Sequence, residues 1–100
     1  MREYEIYIPK QTGSGKAIEP ATLERVKQKL IEVFGGYTHF DQRLEGAWRV
    51  GSAVFYDEIT IVRVLDDENR AFDIRALKNA LETELEQKEM LIVTRSVETI

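Results

Sequence analysis

Cysteine is absent from the 100-residue sequence. This absence excludes a disulfide scaffold, a cysteine nucleophile, an iron–sulfur site and a thiolate zinc site. Histidine occurs once, as His39, and it has no serine or cysteine partner in a recognisable catalytic motif. The carboxylates scattered along the chain do not have the spacing of metal ligands. We therefore predict no metal site, no catalytic residues of these types and no cofactor.

Long apolar runs are also missing, because the longest ones, at 53–56 and 90–93, hold only four residues. A membrane-spanning helix requires about 20 consecutive apolar residues. The first five residues, Met-Arg-Glu-Tyr-Glu, do not resemble a signal peptide. The sequence therefore predicts a cytoplasmic protein with no membrane partner.

Positive charge is not in excess, since 14 lysines and arginines accompany 18 aspartates and glutamates, giving a net charge of −4. Proteins that bind a nucleic-acid backbone carry a basic surface, so we predict no nucleic-acid partner. The residues that are abundant, 43% hydrophobic and 32% charged, are typical of a globular chain. A chain of 100 residues is expected to form a single domain over residues 1–100.

Hydrophobic periodicity divides the chain into short strands and two amphipathic helices. The first strand alternates regularly and ends at Pro9, while Pro20 and Gly35 are typical of the first turn and the left-handed cap of a helix. The predicted elements are strands at 3–8, 37–43, 53–65 and 90–99, helices at 20–34 and 70–87, and a hairpin-like segment at 45–52.

The order strand, helix, strand, strand, helix, strand predicts a ferredoxin-like βαββαβ sandwich of the α+β class. Its four-stranded antiparallel sheet carries both helices on one face, and the first and third strands lie in the middle. In a solitary domain the other face should be polar, yet apolar residues occupy both alternation sets at 59–64 and 90–97. We therefore predict a homo-oligomer, a dimer or a trimer, that assembles through this face or the long hairpin.

A glycine-rich segment, Gly13-Ser14-Gly15-Lys16, has some likeness to a phosphate-binding loop. The Walker pattern requires a glycine at the position of Lys10 and a serine or threonine at the position of Ala17. Because neither is present, we expect a flexible surface loop here.

The segment around the only tryptophan, Gly46-Ala47-Trp48-Arg49-Val50-Gly51, is the most distinctive in the sequence. An aromatic plane beside arginines can hold a flat anion by stacking and by bidentate hydrogen bonds. The flanking glycines would free the backbone to present the ring. A small anionic or planar ligand is therefore predicted to contact Thr38, His39, Arg43, Trp48 and Arg49. The alternative is that Trp48 packs the hairpin onto the core or onto a neighbouring subunit.

Four motifs carry a resemblance over most of the chain: Tyr7-Ile8-Pro9-Lys10, Gly35-Gly36-Tyr37-Thr38, Gly46-Ala47-Trp48 and Asp57-Glu58. In them the sequence resembles a group of small uncharacterised bacterial and phage-type proteins with a Gly-Gly-aromatic-Thr … Gly-x-Trp pattern. The Gly-Gly-x-Thr element is also distantly similar to PII-like signalling proteins. That similarity implies a ferredoxin-like trimer that binds nucleotides or other small anions in clefts between subunits.

Three functions are compatible with these observations. The favoured one is a non-enzymatic, oligomeric domain that binds a small anionic or planar ligand, or has a regulatory role, at a subunit cleft. The alternative is a cofactor-free enzyme of the dimeric ferredoxin-like barrel type, a monooxygenase or an isomerase, that would use His39, Trp48 and Tyr56. A protein-interaction module is a second alternative, and the sequence does not separate the three.

Overall fold

A computed structural model describes all 100 residues. The elements in chain order are β1 (Arg2–Pro9), α1 (Pro20–Phe34), β2 (Thr38–Val50), β3 (Ala53–Asp66), α2 (Ala71–Glu84) and β4 (Ile92–Ser96). The four strands form one antiparallel sheet in the order β2-β3-β1-β4. The predicted ferredoxin-like α+β fold is confirmed.

The core lies between the two helices and one face of the sheet. Alternate residues of the central strands point into it, and those most fully buried are Ile6 on β1 and Val62 and Val64 on β3. Each helix adds an apolar stripe to the same cluster, with Leu30 on α1 and Leu81 on α2. Since both stripes meet the same alternation set, both helices cover one face of the sheet.

Helix α1 begins and ends where the sequence predicts. Pro20 lies in its first turn, and Gly35 follows its last residue with a φ of 83°. In this left-handed conformation the Gly35 N–H donates to the carbonyl of Ile31, which satisfies one of the last free carbonyls of the helix. Neither α1 nor α2 combines the length and the apolar character that a helix needs to cross a membrane.

Two elements are shorter than predicted. Helix α2 ends at Glu84 rather than at residue 87, because Glu86 takes a positive φ of 55° and the chain turns away. Strand β4 covers Ile92–Ser96 rather than 90–99, and single backbone hydrogen bonds, from Tyr7 to Leu91 and from Val97 to Met1, lie just beyond its two ends.

Strand β2 is much longer than predicted, and the hairpin expected at 45–52 is wrong in its bounds. The strand continues from Thr38 to Val50, and the chain reverses only at Gly51-Ser52, between the paired residues Val50 and Ala53. Gly51 has a φ of 62°, as a tight hairpin turn requires. The register shifts between Phe40 and Leu44, so the strand bends there without ending.

Residues 44–58, named the ribbon here, extend beyond the four-stranded sheet. Strand β1 pairs with β3 only as far as Ile59, so the ribbon has two strands and no third neighbour. The molecule is correspondingly elongated, with extents of 42, 29 and 25 Å. An isolated two-stranded hairpin is at best marginally stable in water, and this one is supported at its base, where both strands continue into the sheet.

The sheet face opposite the helices is only partly apolar. Tyr7, Ile61 and Phe40 lie side by side across three strands near the ribbon. Further along, Arg95 of β4 pairs with Glu3 at 3.3 Å and with Glu5 at 2.6 Å. The continuous apolar part of this face therefore lies beside the ribbon, and further along apolar residues such as Leu65, opposite Glu3, are mixed with charged ones.

The loop after β1, expected to be flexible, is tied to the end of α2. The Gly13 N–H donates to the Leu85 carbonyl at 3.0 Å, and the Ser14 hydroxyl donates to the Glu86 carboxylate at 2.9 Å. Within the loop, the Ile18 N–H donates to the Lys10 carbonyl at 3.0 Å. A Cβ at Gly13 would lie 1.9 Å from the Glu86 carbonyl oxygen, so only glycine allows this close approach.

We expect Gly13→Ala to lower the free energy of unfolding by about 1–3 kcal/mol, because the added methyl group must displace backbone atoms. Urea denaturation measures the change. Gly36→Ala is the matched control, since nothing lies within 4 Å of its Cβ position. Equal stabilities of the two variants would contradict this account of the loop.

Candidate functional site

The residues predicted to form one site lie in two separate places. Thr38 and His39 begin β2 beside the body of the sheet, whereas Trp48 and Arg49 lie near the ribbon tip. Because each residue of a β-strand advances the chain by about 3.3 Å, the two pairs of residues are roughly 30 Å apart along β2. Within one chain the structure does not bring them together.

Trp48 and Arg49 also lie on opposite faces of the ribbon. Trp48 is directly opposite Phe55, and Arg49 is opposite Val54. Because successive residues of a strand point to opposite sides, the indole and the guanidinium of one chain cannot grip the same ligand from one face. Trp48 is 46% exposed, so it is not packed onto the core of its own chain.

Large apolar side chains are exposed on both faces of the ribbon. We name them the ribbon patch: Trp48, Val50, Val54, Phe55 and Tyr56. Their exposed fractions run from 46% at Trp48 to 69% at Tyr56. Exposed apolar side chains are ordinary when scattered, but five on one short ribbon, with Trp48, Val50 and Phe55 on one face and Val54 and Tyr56 on the other, are typical of an interaction surface.

A cavity of about 490 Å³, the loop–ribbon cavity, lies where the loop after β1 meets the base of the ribbon. It is lined mainly by polar residues: Pro9, Lys10, Gln11, Thr12, Gly13, Gly15, Tyr56, Asp57, Glu58 and Gln87. Its volume lies within the range of small-molecule sites.

Backbone and amide hydrogen bonds fix the walls of this cavity. The Lys10 N–H donates to the Glu58 carbonyl at 3.0 Å, which joins the loop to the ribbon. The side-chain amide of Gln87 donates to the Gln11 carbonyl at 3.3 Å, which joins the loop to the segment after α2. Three separate parts of the chain therefore hold the side chains of Lys10, Tyr56 and Glu58 around one space.

The cavity is a site that the sequence did not predict, although its parts stand in the motifs of the resemblance. Pro9-Lys10 closes the first motif, and Asp57-Glu58 is the last. Of the five residues predicted to contact the ligand, Arg43 lies near its rim, with its guanidinium 3.9 Å from the Glu58 carboxylate, and Tyr56, predicted for the enzyme alternative, lines it. Lys10 supplies a positive charge to the lining and Asp57 and Glu58 supply negative charges, so a ligand with polar groups of either sign finds partners.

His39 is held by a buried hydroxyl. Its Nε2 lies 2.8 Å from the Oγ1 of Thr60, and that hydroxyl donates to the Phe40 carbonyl at 3.1 Å. Since the Thr60 proton is already used, Nε2–H of His39 is the donor between the two side chains. Burial lowers the pKa of His39 below its ordinary value of 6.5, and the positive charges of Lys27 and Lys10 act in the same direction.

This lowered pKa predicts that protonation of His39 destabilises the fold. The unfolded chain takes up the proton at a higher pH than the folded chain, so the stability is fully present above pH 6.5 and is lost as the pH falls from there through the folded pKa. We expect the wild type to lose more stability than His39→Gln between about pH 7.5 and about pH 5.5, as urea denaturation would measure. Equal losses of stability in the wild type and the variant would contradict the lowered pKa of His39.

No group of three or more histidine, aspartate and glutamate side chains is placed to hold a metal ion.

Comparisons with known proteins identify the fold. Neither a protein-family model nor a curated protein sequence matches the chain. The structure is similar to that of the divalent cation tolerance protein (Cut A1) from Thermus thermophilus, with a TM-score of 0.66 and 17% identity over 99% of this chain and 86% of that one. It is also similar to a phage SAM lyase in complex with S-methyl-5'-thioadenosine, with a TM-score of 0.63 and 10% identity over 95% of this chain and 80% of that one. These likenesses show a small ferredoxin-like fold, and a shared fold does not define a function.

Proposed function

We propose that the protein is a homo-oligomer that binds a small planar ligand, without changing it chemically, in the loop–ribbon cavity. In this proposal the ribbon patch of a neighbouring subunit closes the cavity. The observation that carries it is the ribbon patch itself, whose five large apolar side chains are left exposed by their own chain and whose member Tyr56 lines the cavity.

A second copy is the occupant that best suits the ribbon patch. A two-stranded ribbon is marginally stable alone, and contact with another subunit would supply the missing packing. The apolar half of the open sheet face, at Tyr7, Ile61 and Phe40, is continuous with the ribbon base and extends the surface available. A specific interface typically buries about 800 Å² per partner.

An adenine nucleoside is the ligand class that the site supports best. Tyr56 lines the cavity, and in the proposed assembly the rings of Trp48 and Phe55 on the ribbon of the neighbouring subunit can stack against the same flat base. The side chains of Lys10 and Glu58 can bind the hydroxyl and amino groups of such a ligand. The phage SAM lyase, which shares this fold, holds S-methyl-5'-thioadenosine, a ligand with these features. We also propose kinship with the small bacterial and phage-type proteins that the sequence resembles.

Trp48 provides a direct test because it is the only tryptophan. Titration with S-methyl-5'-thioadenosine is expected to change its fluorescence saturably. Glu58→Gln should weaken binding about tenfold, the loss of one charge-assisted hydrogen bond. Glu32→Gln on α1 makes the same charge change away from the cavity and should bind as the wild type does. If calorimetry finds no binding of this nucleoside, or equal loss in the two variants, the ligand assignment is wrong.

A cofactor-free enzyme is the second candidate, and one feature of the cavity favours it. Tyr56 and Glu58 are two positions apart on β3, so a phenol and a carboxylate lie on the same face of the ribbon at the cavity wall. Such a pair can transfer protons, and the similar phage protein is a lyase. Incubation with SAM followed by chromatography separates the candidates: formation of S-methyl-5'-thioadenosine above the uncatalysed rate would identify an enzyme, whereas unchanged SAM would favour binding alone.

A further inference from the structure

A second cavity, the edge groove, lies at the other edge of the sheet from the ribbon, between α2 and the short edge strand β4. Its volume is about 440 Å³. Three cationic side chains, Arg2, Arg75 and Lys78, line it, and no carboxylate does. The groove is therefore a positively charged surface on a chain whose net charge is −4.

Two of these cations are free to bind an anion. Neither Arg2 nor Arg75 takes part in any of the ion pairs of the structure. Lys78 lies 3.5 Å from the carboxylates of both Glu82 and Glu89, so its charge is largely balanced. The two arginines are therefore the groups on which recognition would depend.

Neutral hydroxyl groups hold Arg2 in position. Its Nε donates to the Oγ1 of Thr94 at 3.2 Å, and its Nη1 donates to the Oγ of Ser96 at 2.9 Å. These bonds orient the guanidinium along β4 without neutralising it, and its Nη2 has no protein partner. An oriented guanidinium is well suited to phosphate, because its planar fork can donate two parallel hydrogen bonds.

The lining between the cations is apolar. Ile74 of α2 is buried, Ile92 of β4 is partly buried, and the buried Tyr4 lies between them on the central strand. The groove is also much larger than an inorganic anion needs. Its chemistry suits an anionic group joined to an apolar body.

We propose that the edge groove is a second ligand site that binds an organic phosphate. Arg2 and Arg75 hold the phosphate, Lys78 adds a weaker contact, and the apolar body lies on Ile74 and Ile92. A phosphate dianion suits this site better than a carboxylate, because two guanidinium groups that form no ion pair line the groove. The site is separate from the loop–ribbon cavity and does not depend on the ligand proposed there.

Nuclear magnetic resonance titration of the full chain with phenyl phosphate tests the proposal. Backbone amide signals of Asn69, Arg75 and Thr94 are expected to shift together and to saturate. Inorganic phosphate, which lacks the apolar body, and benzoate, which carries a single charge, should each bind more weakly than phenyl phosphate. Arg75→Gln should weaken binding of phenyl phosphate about tenfold, as the loss of a charge-assisted hydrogen bond.

Lys29→Gln is the matched control, since it removes one positive charge from α1, outside the groove. Its affinity for phenyl phosphate should equal that of the wild type. The proposal is overturned if no signal of the groove shifts, if the two variants lose affinity equally, if the shifts are confined to the ribbon, or if benzoate binds as tightly as phenyl phosphate. None of these results tests the binding of a nucleoside in the loop–ribbon cavity, which is measured separately by the fluorescence of Trp48.

Discussion

Replacing Ile6 with alanine is expected to lower the free energy of unfolding by about 2–5 kcal/mol. Ile6 has no exposed surface, and it lies on the central strand directly between Val62 of β3 and Ile92 of β4. Both helices cover this face of the sheet, so the vacated volume cannot collapse freely and the cost of a cavity adds to the lost burial. Since small domains are stable by about 5–15 kcal/mol in total, a large fraction of the fold's stability depends on this side chain.

Urea denaturation of Ile6→Ala beside Ile31→Ala measures this effect. Ile31 lies on α1 and is 42% exposed, so the same substitution there should cost less than about 1 kcal/mol. Similar losses at the two positions would contradict the placement of the core between the helices and the central strands.

The double substitution Trp48→Ser with Phe55→Ser is expected to convert the proposed homo-oligomer to a monomer that keeps its fold. The two rings are directly opposite each other on the ribbon and are about half exposed, so the core does not depend on them. Each aromatic side chain can bury about 150–250 Å², so together they would form a large share of an interface of ordinary size. Size-exclusion chromatography reports the assembly, and far-ultraviolet circular dichroism reports the fold.

Phe72→Ser is the matched control for this experiment. Phe72 lies on α2, away from the ribbon, and is 82% exposed, so its removal tests whether the loss of any exposed aromatic ring changes the assembly. We expect it to elute with the wild type. An unchanged elution volume for the ribbon variant, or the same change in the Phe72 variant, would contradict an interface at the ribbon.

The sequence predicts best those elements whose boundaries are set by residues within or next to the element. The alternation at residues 3–8 corresponds to β1, and Pro20 and Gly35 mark the ends of α1. These residues act on their own backbone or on the next turn, so no knowledge of the partner element was needed.

The ribbon was not predicted because the length of a strand depends on its partner. Gly46 has the appearance of a turn residue, but it continues β2 opposite Asp57. A hairpin at 45–52 excludes a continuous strand through these residues. The prediction therefore misses the alternation that places Trp48 and Arg49 on opposite faces. Glycine inside a strand is therefore an ambiguous signal when the pairing is unknown.

The loop–ribbon cavity could not be predicted because its walls come from distant parts of the sequence. The hydrogen bond from the Gln87 side-chain amide to the Gln11 carbonyl joins wall residues 76 positions apart. Position 13 requires glycine because the Glu86 carbonyl lies against it in the folded chain. The amino-acid composition and the spacing of residues along the chain do not indicate that these two segments approach each other.

The mass of the wild-type protein in solution tests the central claim, that the ribbon patch is covered by another copy of the chain. Multi-angle light scattering at micromolar concentration gives this mass without assumptions about shape. The account predicts a whole multiple of 11.6 kDa, at two or three times that value. A folded species of 11.6 kDa would contradict it.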